Sequence, residues 1–247
     1  MSYLLYYSPD SANLVIRMIL EELGADYDDS EVPRRRTERD ATFLRLNPRG
    51  LLPVLIDRAN DTVLFETGAI ALYLADRHGA LAPSPQGTGP KDAQARASCL
   101  KWLFMLSNTL HADLRLCFYS ERYVTQASEI APLRMATAKR ICGHLALLDE
   151  MLGEHGGDHL LPWGLSVCDF YLGCCLRWSQ LYPAGDTPIG ADEVRRFPHL
   201  TRLLTGLQRR PSVVRALERE GISGDAFIAP TVRLPARAAD AVGAVMP

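Results

Sequence analysis

Apolar positions in this chain recur first at strand spacing and then at helix spacing, and the change falls near residue 80. Residues 3–8 (Tyr-Leu-Leu-Tyr-Tyr-Ser) form a short apolar and aromatic run that predicts a buried strand, broken by Pro9-Asp10-Ser11. Leu14, Ile16, Ile19, Leu20 and Leu23 then follow a largely helical rhythm that stops at Gly24, a residue type that accepts the left-handed turn after a helix. A second strand is expected near residues 27–32, and a short helix around 41–46 ended by Asn47-Pro48-Arg49-Gly50. Strands at 54–57 and 62–65 are joined by the turn-rich Ala59-Asn60-Asp61. Ile70, Tyr73 and Leu74 predict a helix over 67–78, closed by Gly79. The order βαβ, α, ββα makes residues 1–80 an α/β domain.

Residues 81–92 carry Pro83, Pro85, Gly87, Gly89 and Pro90 and read as a linker. Beyond it the pattern is helical, giving an all-α domain over 93–224. One long helix is expected from about 92 to 119, with Cys99, Trp102, Leu103, Leu106 and Leu110 on one stripe. Another runs from about 131 to 152 through Ile141, Leu145, Leu148 and Leu152. Ser166-Val167-Cys168-Asp169 is close to a capping box. The segment 170–181 is apolar nearly all round, which predicts the central buried helix. Short helices follow around 200–207 and 212–220, and the Ala-, Pro- and Arg-rich residues 225–247 are expected to form an extended or partly mobile tail.

Composition narrows the partners. In 247 residues, 47% apolar and 23% charged, the net charge is −2, so no general attraction to nucleic acid or an anionic membrane is expected. No basic region followed by a long apolar run begins the chain, and no uninterrupted apolar stretch approaches the ~18 residues of a membrane helix. The six cysteines (Cys99, Cys117, Cys142, Cys168, Cys174 and Cys175) include no C-x-x-C pair, and His155 and His159 lack acidic partners at ligand spacing. No metal is assigned, and a cytoplasmic, reducing setting is expected.

Two stretches carry the candidate chemistry. Leu51-Leu52-Pro53-Val54-Leu55 opens an apolar strand on a proline, and Phe65-Glu66-Thr67-Gly68-Ala69-Ile70 turns a strand into a helix through a carboxylate and a hydroxyl. Together they offer backbone for pairing with an extended peptide and a helix N-terminus for its carboxylate. Every cysteine lies outside these stretches, so the thiol is expected to arrive with the ligand.

Residues 3–220 resemble the soluble glutathione S-transferases, nearest the bacterial beta-like and delta/theta-like branches. The resemblance rests on Tyr7-Ser8-Pro9, Asn47 to Leu55, Glu66 to Ile70, Ser166-x-x-Asp169, Phe197-Pro198-x-Leu200 and Arg210-Pro211-Ser212-Val213, in that order. It implies a thioredoxin-like N-terminal domain, glutathione as cosubstrate, a hydrophobic electrophilic small molecule as second substrate, detoxification as the role, and usually a homodimer. By the same resemblance Pro53 is cis, the Leu52 backbone pairs with the cysteinyl part of glutathione, and Glu66 and Thr67 hold its γ-glutamyl end.

For activating the thiol, Ser11 matches the catalytic serine of delta/theta-like members, Tyr7 is the second candidate and Asn13 the third. Ala12 stands where beta-like members carry a cysteine. His111 matches a histidine that reaches glutathione in beta-like members. Leu51 replaces a residue that often helps hold the glycyl carboxylate, so Arg49 or one of Arg34–Arg36 is expected to take that task. The electrophile site is expected between Ser8–Ser11 and the long helix around Arg115, Phe118 and Tyr119, with Trp178 in the core. The reaction stays open between conjugation to an electrophilic carbon and disulfide, peroxide or ether chemistry through the same thiolate. A non-catalytic interaction module of the same fold is the third reading.

Overall fold

Strand β1 (Ser2–Tyr7) lies between β2 (Asp26–Glu31), parallel to it, and β3 (Val54–Asp57), antiparallel; β4 (Thr62–Phe65) completes the sheet in the order β2-β1-β3-β4. The computed structural model describes residues 2–35 and 38–232. Tyr3, Leu5 and Leu55 face helices α1 (Asn13–Glu22) and α3 (Thr67–His78), while Tyr6 and Val54 face Phe43 of α2 (Ala41–Leu46). This is the thioredoxin-like arrangement of a sheet between helices. The register decides where a ligand can sit. Tyr6 pairs with Val54, Val54 with Phe65, and Tyr7 with Glu31. The loops after β1, β2 and β4 and the residues before β3 therefore emerge at one end of the sheet.

The helix stops follow from glycine. Gly24 adopts φ +59°, its N–H meets the Glu21 carbonyl at 3.3 Å and the Ala25 N–H meets Leu20 at 3.0 Å, which satisfies the last carbonyls of α1. Gly79 closes α3 in the same left-handed region. Because α1 is covered by the sheet, α3 and helices of the second half, Asn13 through Leu20 are all buried.

The second half is helical: α4 (Pro90–Met105), α5 (His111–Phe118), α6 (Ile130–Glu154), α7 (Val167–Leu181), α8 (Ala191–Arg195), α9 (Pro198–Gln208) and α10 (Pro211–Arg219). Every residue of α7 is buried, the central position its all-round apolar pattern predicts. Asp169 caps it by accepting from the Ser166 N–H at 2.7 Å, the Ser166 hydroxyl at 2.9 Å and the Leu160 N–H at 2.6 Å. The single long helix expected over 92–119 is instead divided. A π turn at Leu106–Leu110, with the His111 N–H reaching back to the Leu106 carbonyl, separates α4 from α5. Helices α9 and α10 begin on Pro198 and Pro211, slightly before the apolar rhythm does, because proline suits a first turn whose N–H groups have no partner.

The stretch after Gly224, expected to be an extended tail, folds back onto α7. Arg177 donates to the Ala226 carbonyl at 2.6 Å and Gln180 to the Phe227 carbonyl at 2.9 Å, and both Ala226 and Phe227 are buried. Polar side chains inside α7 need acceptors, and this backbone supplies them. Residues 233–247 of that expected tail lie outside the described residues. Among the described residues, no helix is long and apolar enough to cross a membrane.

Candidate functional site

Pro53 stands just before β3, and its bond to Leu52 is cis, as expected from the resemblance. Leu52 packs with its neighbours on the α2 side of the sheet, against the Val32–Phe43–Val54 cluster. Across the sheet end, Glu66 holds φ +74°, a left-handed backbone rare outside glycine, and delivers the chain directly into α3 at the buried Thr67. A Cβ placed on Gly68 would meet Ser107 Cβ at 3.5 Å, so the first turn of α3 abuts the π turn. The Glu66 carboxylate lies 2.6 Å from the Arg49 guanidinium, and both groups are more than half exposed. Arg49, expected to serve a ligand carboxylate, thus faces Glu66 in this structure. An exposed pair of this kind is weak, of order 0–1 kcal/mol, and opens readily to a zwitterionic ligand.

The Tyr171 hydroxyl lies 2.9 Å from His111 Nδ1. The His111 ring meets Tyr171 edge-on at 5.7 Å and lies 5.2 Å from Trp178. Desolvation, helped by the Arg115 charge, lowers the His111 pKa to about 4, so the ring is neutral at physiological pH.

The loop after β1 gathers the three thiol-activating candidates unequally. Ser11 donates its hydroxyl to Asn13 Oδ1, which also accepts from the Ser8 N–H at 3.1 Å. Asn13 is fully buried, and while its oxygen accepts from Ser8 and Ser11, one of its two Nδ2 hydrogens is given to Glu220 at 2.7 Å. Tyr7 points to the α1 face: its hydroxyl donates to Glu31 at 3.4 Å and its ring lies 4.4 Å beneath the Arg17 guanidinium. Burial and the charges of Glu31 and Asp29 raise the phenol's pKa. Ser8, expected to line the electrophile site, is buried and donates to the Val32 carbonyl, tying the β1 loop to the end of β2.

Beneath this loop lies a charge network that the sequence reading missed. Glu220, just past α10, accepts from Asn13, from Arg17 Nε at 3.0 Å and from the Asp10 N–H at 2.7 Å. Asp10 receives Arg177 through two bonds of 2.8 and 2.9 Å. Desolvation raises the Glu220 pKa to about 7, against the pull of Arg17. The available signal was Arg177, an arginine inside a helix apolar all round, because a buried charge requires a counter-charge. Cys174 adjoins the network, but burial pushes its thiol well above its ordinary range, so it offers no thiolate.

The three expected electrophile-site residues, Arg115 and Phe118 of α5 and Tyr119 just past it, come together. Phe118 meets Tyr119 at 6.5 Å and Tyr182 at 5.7 Å, and Arg115 lies 5.8 Å over the Tyr119 ring. Arg34 links this patch to the β1 loop by donating to the Pro9 carbonyl at 2.8 Å and the Tyr182 hydroxyl at 3.2 Å. Trp178 is core, as expected.

The model for the glutathione S-transferase N-terminal domain matches residues 1–76. A sphingomonad glutathione S-transferase, solved with glutathione, superposes with a TM-score of 0.72 at 28% identity over 89% of this chain and 100% of that one. The first 76 residues thus match the glutathione S-transferase N-terminal domain, and the chain has the fold of the solved glutathione S-transferases. The glutathione S-transferase-like protein OpS6 of Beauveria bassiana is 27% identical over 200 residues, 80% of this chain and 86% of that protein. The disulfide-bond oxidoreductase YfcG of Escherichia coli is 31% identical over 106 residues, 40% of this chain and 46% of that protein.

Proposed function

We propose that this protein binds glutathione along the sheet end, stabilises its thiolate and adds it to an electrophilic carbon. The reading rests on one observation above all: Leu52–Pro53, Glu66–Thr67 and the Ser11 loop emerge at the same end of the sheet. The cysteinyl backbone pairs with Leu52, the γ-glutamyl carboxylate takes the N–H groups opening α3, and its ammonium meets Glu66. A free thiol of pKa ~8.5 is only a few per cent ionised at pH 7, and lowering it by two units takes ~2.7 kcal/mol of preferential stabilisation. A hydroxyl hydrogen bond from Ser11 and the positive end of a helix are of that size together. With a chloroarene, the thiolate sulfur bonds to the ring carbon, chloride leaves, and the thiol proton has already passed to solvent. Calorimetry with glutathione, paired with conjugation of a chloro-dinitroarene, tests this; absence of both glutathione binding and conjugation overturns it.

A second reading is thiol–disulfide exchange by the same glutathione thiolate, favoured by the similarity, over 106 residues, to a disulfide-bond oxidoreductase. Reduction of a small disulfide by glutathione, without arene conjugation, selects it. A homodimer and a cytoplasmic, detoxifying role belong to the same proposal, and light scattering reads the first.

A further inference from the structure

Arginines in this fold are mostly answered by acids: Arg17 by Glu220, Arg177 by Asp10, Arg96 by Asp76 and Arg210 by Glu22. Arg34 and Arg115 are exceptions. Among the described residues neither faces a carboxylate: Arg34 is held by a carbonyl and a phenol, and Arg115 by the Tyr119 ring. Both are only partly exposed, and they flank one aromatic patch, Arg34 through Tyr182 and Arg115 through Tyr119, with Phe118 between. The nearest acid on the β1 loop, Asp10, is bound through both oxygens to Arg177 and does not neutralise them.

We propose that the electrophile cleft selects planar aromatic substrates bearing a carboxylate, with the ring against Phe118, Tyr119 and Tyr182 and the anion at Arg115 and Arg34. This rests on the transferase reading of the same cleft. An aromatic surface alone retains any apolar ring and discriminates weakly between them. Arg115, with its ring-facing side covered by Tyr119, keeps N–H edges for a planar anion, which accepts two parallel bonds from such a fork, and Arg34, whose Nη1 and Nη2 also donate to Pro9 and Tyr182, adds positive charge to the same patch. At partly covered guanidiniums those bonds are stronger than on an open surface. Glutathione also carries carboxylates, and the test must separate the two sources.

The comparison is 4-chloro-3,5-dinitrobenzoate against its neutral carboxamide, each kcat/KM divided by the uncatalysed rate. The wild-type protein is expected to favour the anion by about tenfold or more, the effect of ~1.4 kcal/mol. Arg115→Met is expected to bring that ratio toward one, while glutathione affinity stays within about twofold, less than the loss of a charged hydrogen bond would cause. A wild-type ratio at or below one overturns the proposal. So does a variant that weakens glutathione and leaves the ratio intact, since the arginine then serves the tripeptide. If no arene is conjugated, the transferase reading fails by itself. Calorimetry of 3,5-dinitrobenzoate against 3,5-dinitrobenzamide, on the wild-type protein with S-methylglutathione bound, then decides the anion preference without turnover.

Discussion

A serine hydroxyl can serve a thiolate only when its proton is free to turn toward sulfur, and in this structure Ser11 gives that proton to Asn13 Oδ1. An anionic sulfur is a stronger acceptor than an amide oxygen, so the arriving thiolate draws the hydroxyl across. Tyr7 has a harder task, since its hydroxyl faces Glu31 and burial, together with the charges of Glu31 and Asp29, disfavours its ionisation. Replacing Ser11 by Ala is expected to return the thiol of bound glutathione toward ~8.5, the value of an unassisted cysteine, with affinity changed by a few-fold at most. Ultraviolet titration of the complex reads this directly. An unchanged thiolate pKa in Ser11→Ala, together with a raised one in Tyr7→Phe, would transfer the role to the phenol.

Secondary-structure elements differ in how openly the sequence announces them. The strands, α1 and α3 are legible because strong apolar periodicity meets a local stop at Pro9, Gly24 or Gly79. The π turn is not, because Leu106, Leu110 and Leu114 are four residues apart and that spacing fits a π turn as well as an α turn. The Pro53 and Glu66 regions were legible through short motifs. Tyr171 and Tyr182 were not singled out for the site, because their partners lie far along the chain and no local pattern encodes them. Packing between elements is equally hidden: a Cβ on Gly173 of α7 would come within 2.4 Å of Leu207 Cδ2 on α9. Gly173→Ala is therefore expected to destabilise the fold by about 1–3 kcal/mol, the usual range for overpacking a core. Urea denaturation measures it, and a variant as stable as the parent would mean that Leu207 can move aside.

Across the whole molecule, the most consequential link is the carboxylate of Glu220 beneath the β1 loop, more than 200 positions from the residues it holds. Asn13 turns its NH2 toward Glu220, which accepts from it, and its oxygen toward Ser11. The raised pKa sets a sign for stability. The folded chain keeps a proton on Glu220 up to about pH 7, whereas the unfolded chain releases it near 4.5. Its stabilising contribution is full below the unfolded value and is lost as pH rises through the folded one. Thermal denaturation between about pH 5 and 8 should show wild-type stability falling with pH relative to Glu220→Gln, which cannot titrate. Parallel curves would remove Glu220 as the titrating group. The same clasp bears on attempts to divide the chain. A fragment comprising only the first 80 residues would keep Arg17 and Asp10 but leave behind the opposite charges that Glu220 and Arg177 provide. Its first helix would also lose the cover of α7 and α10. Whoever wishes to recombine the halves of such proteins must therefore carry the far end of the chain along with the beginning.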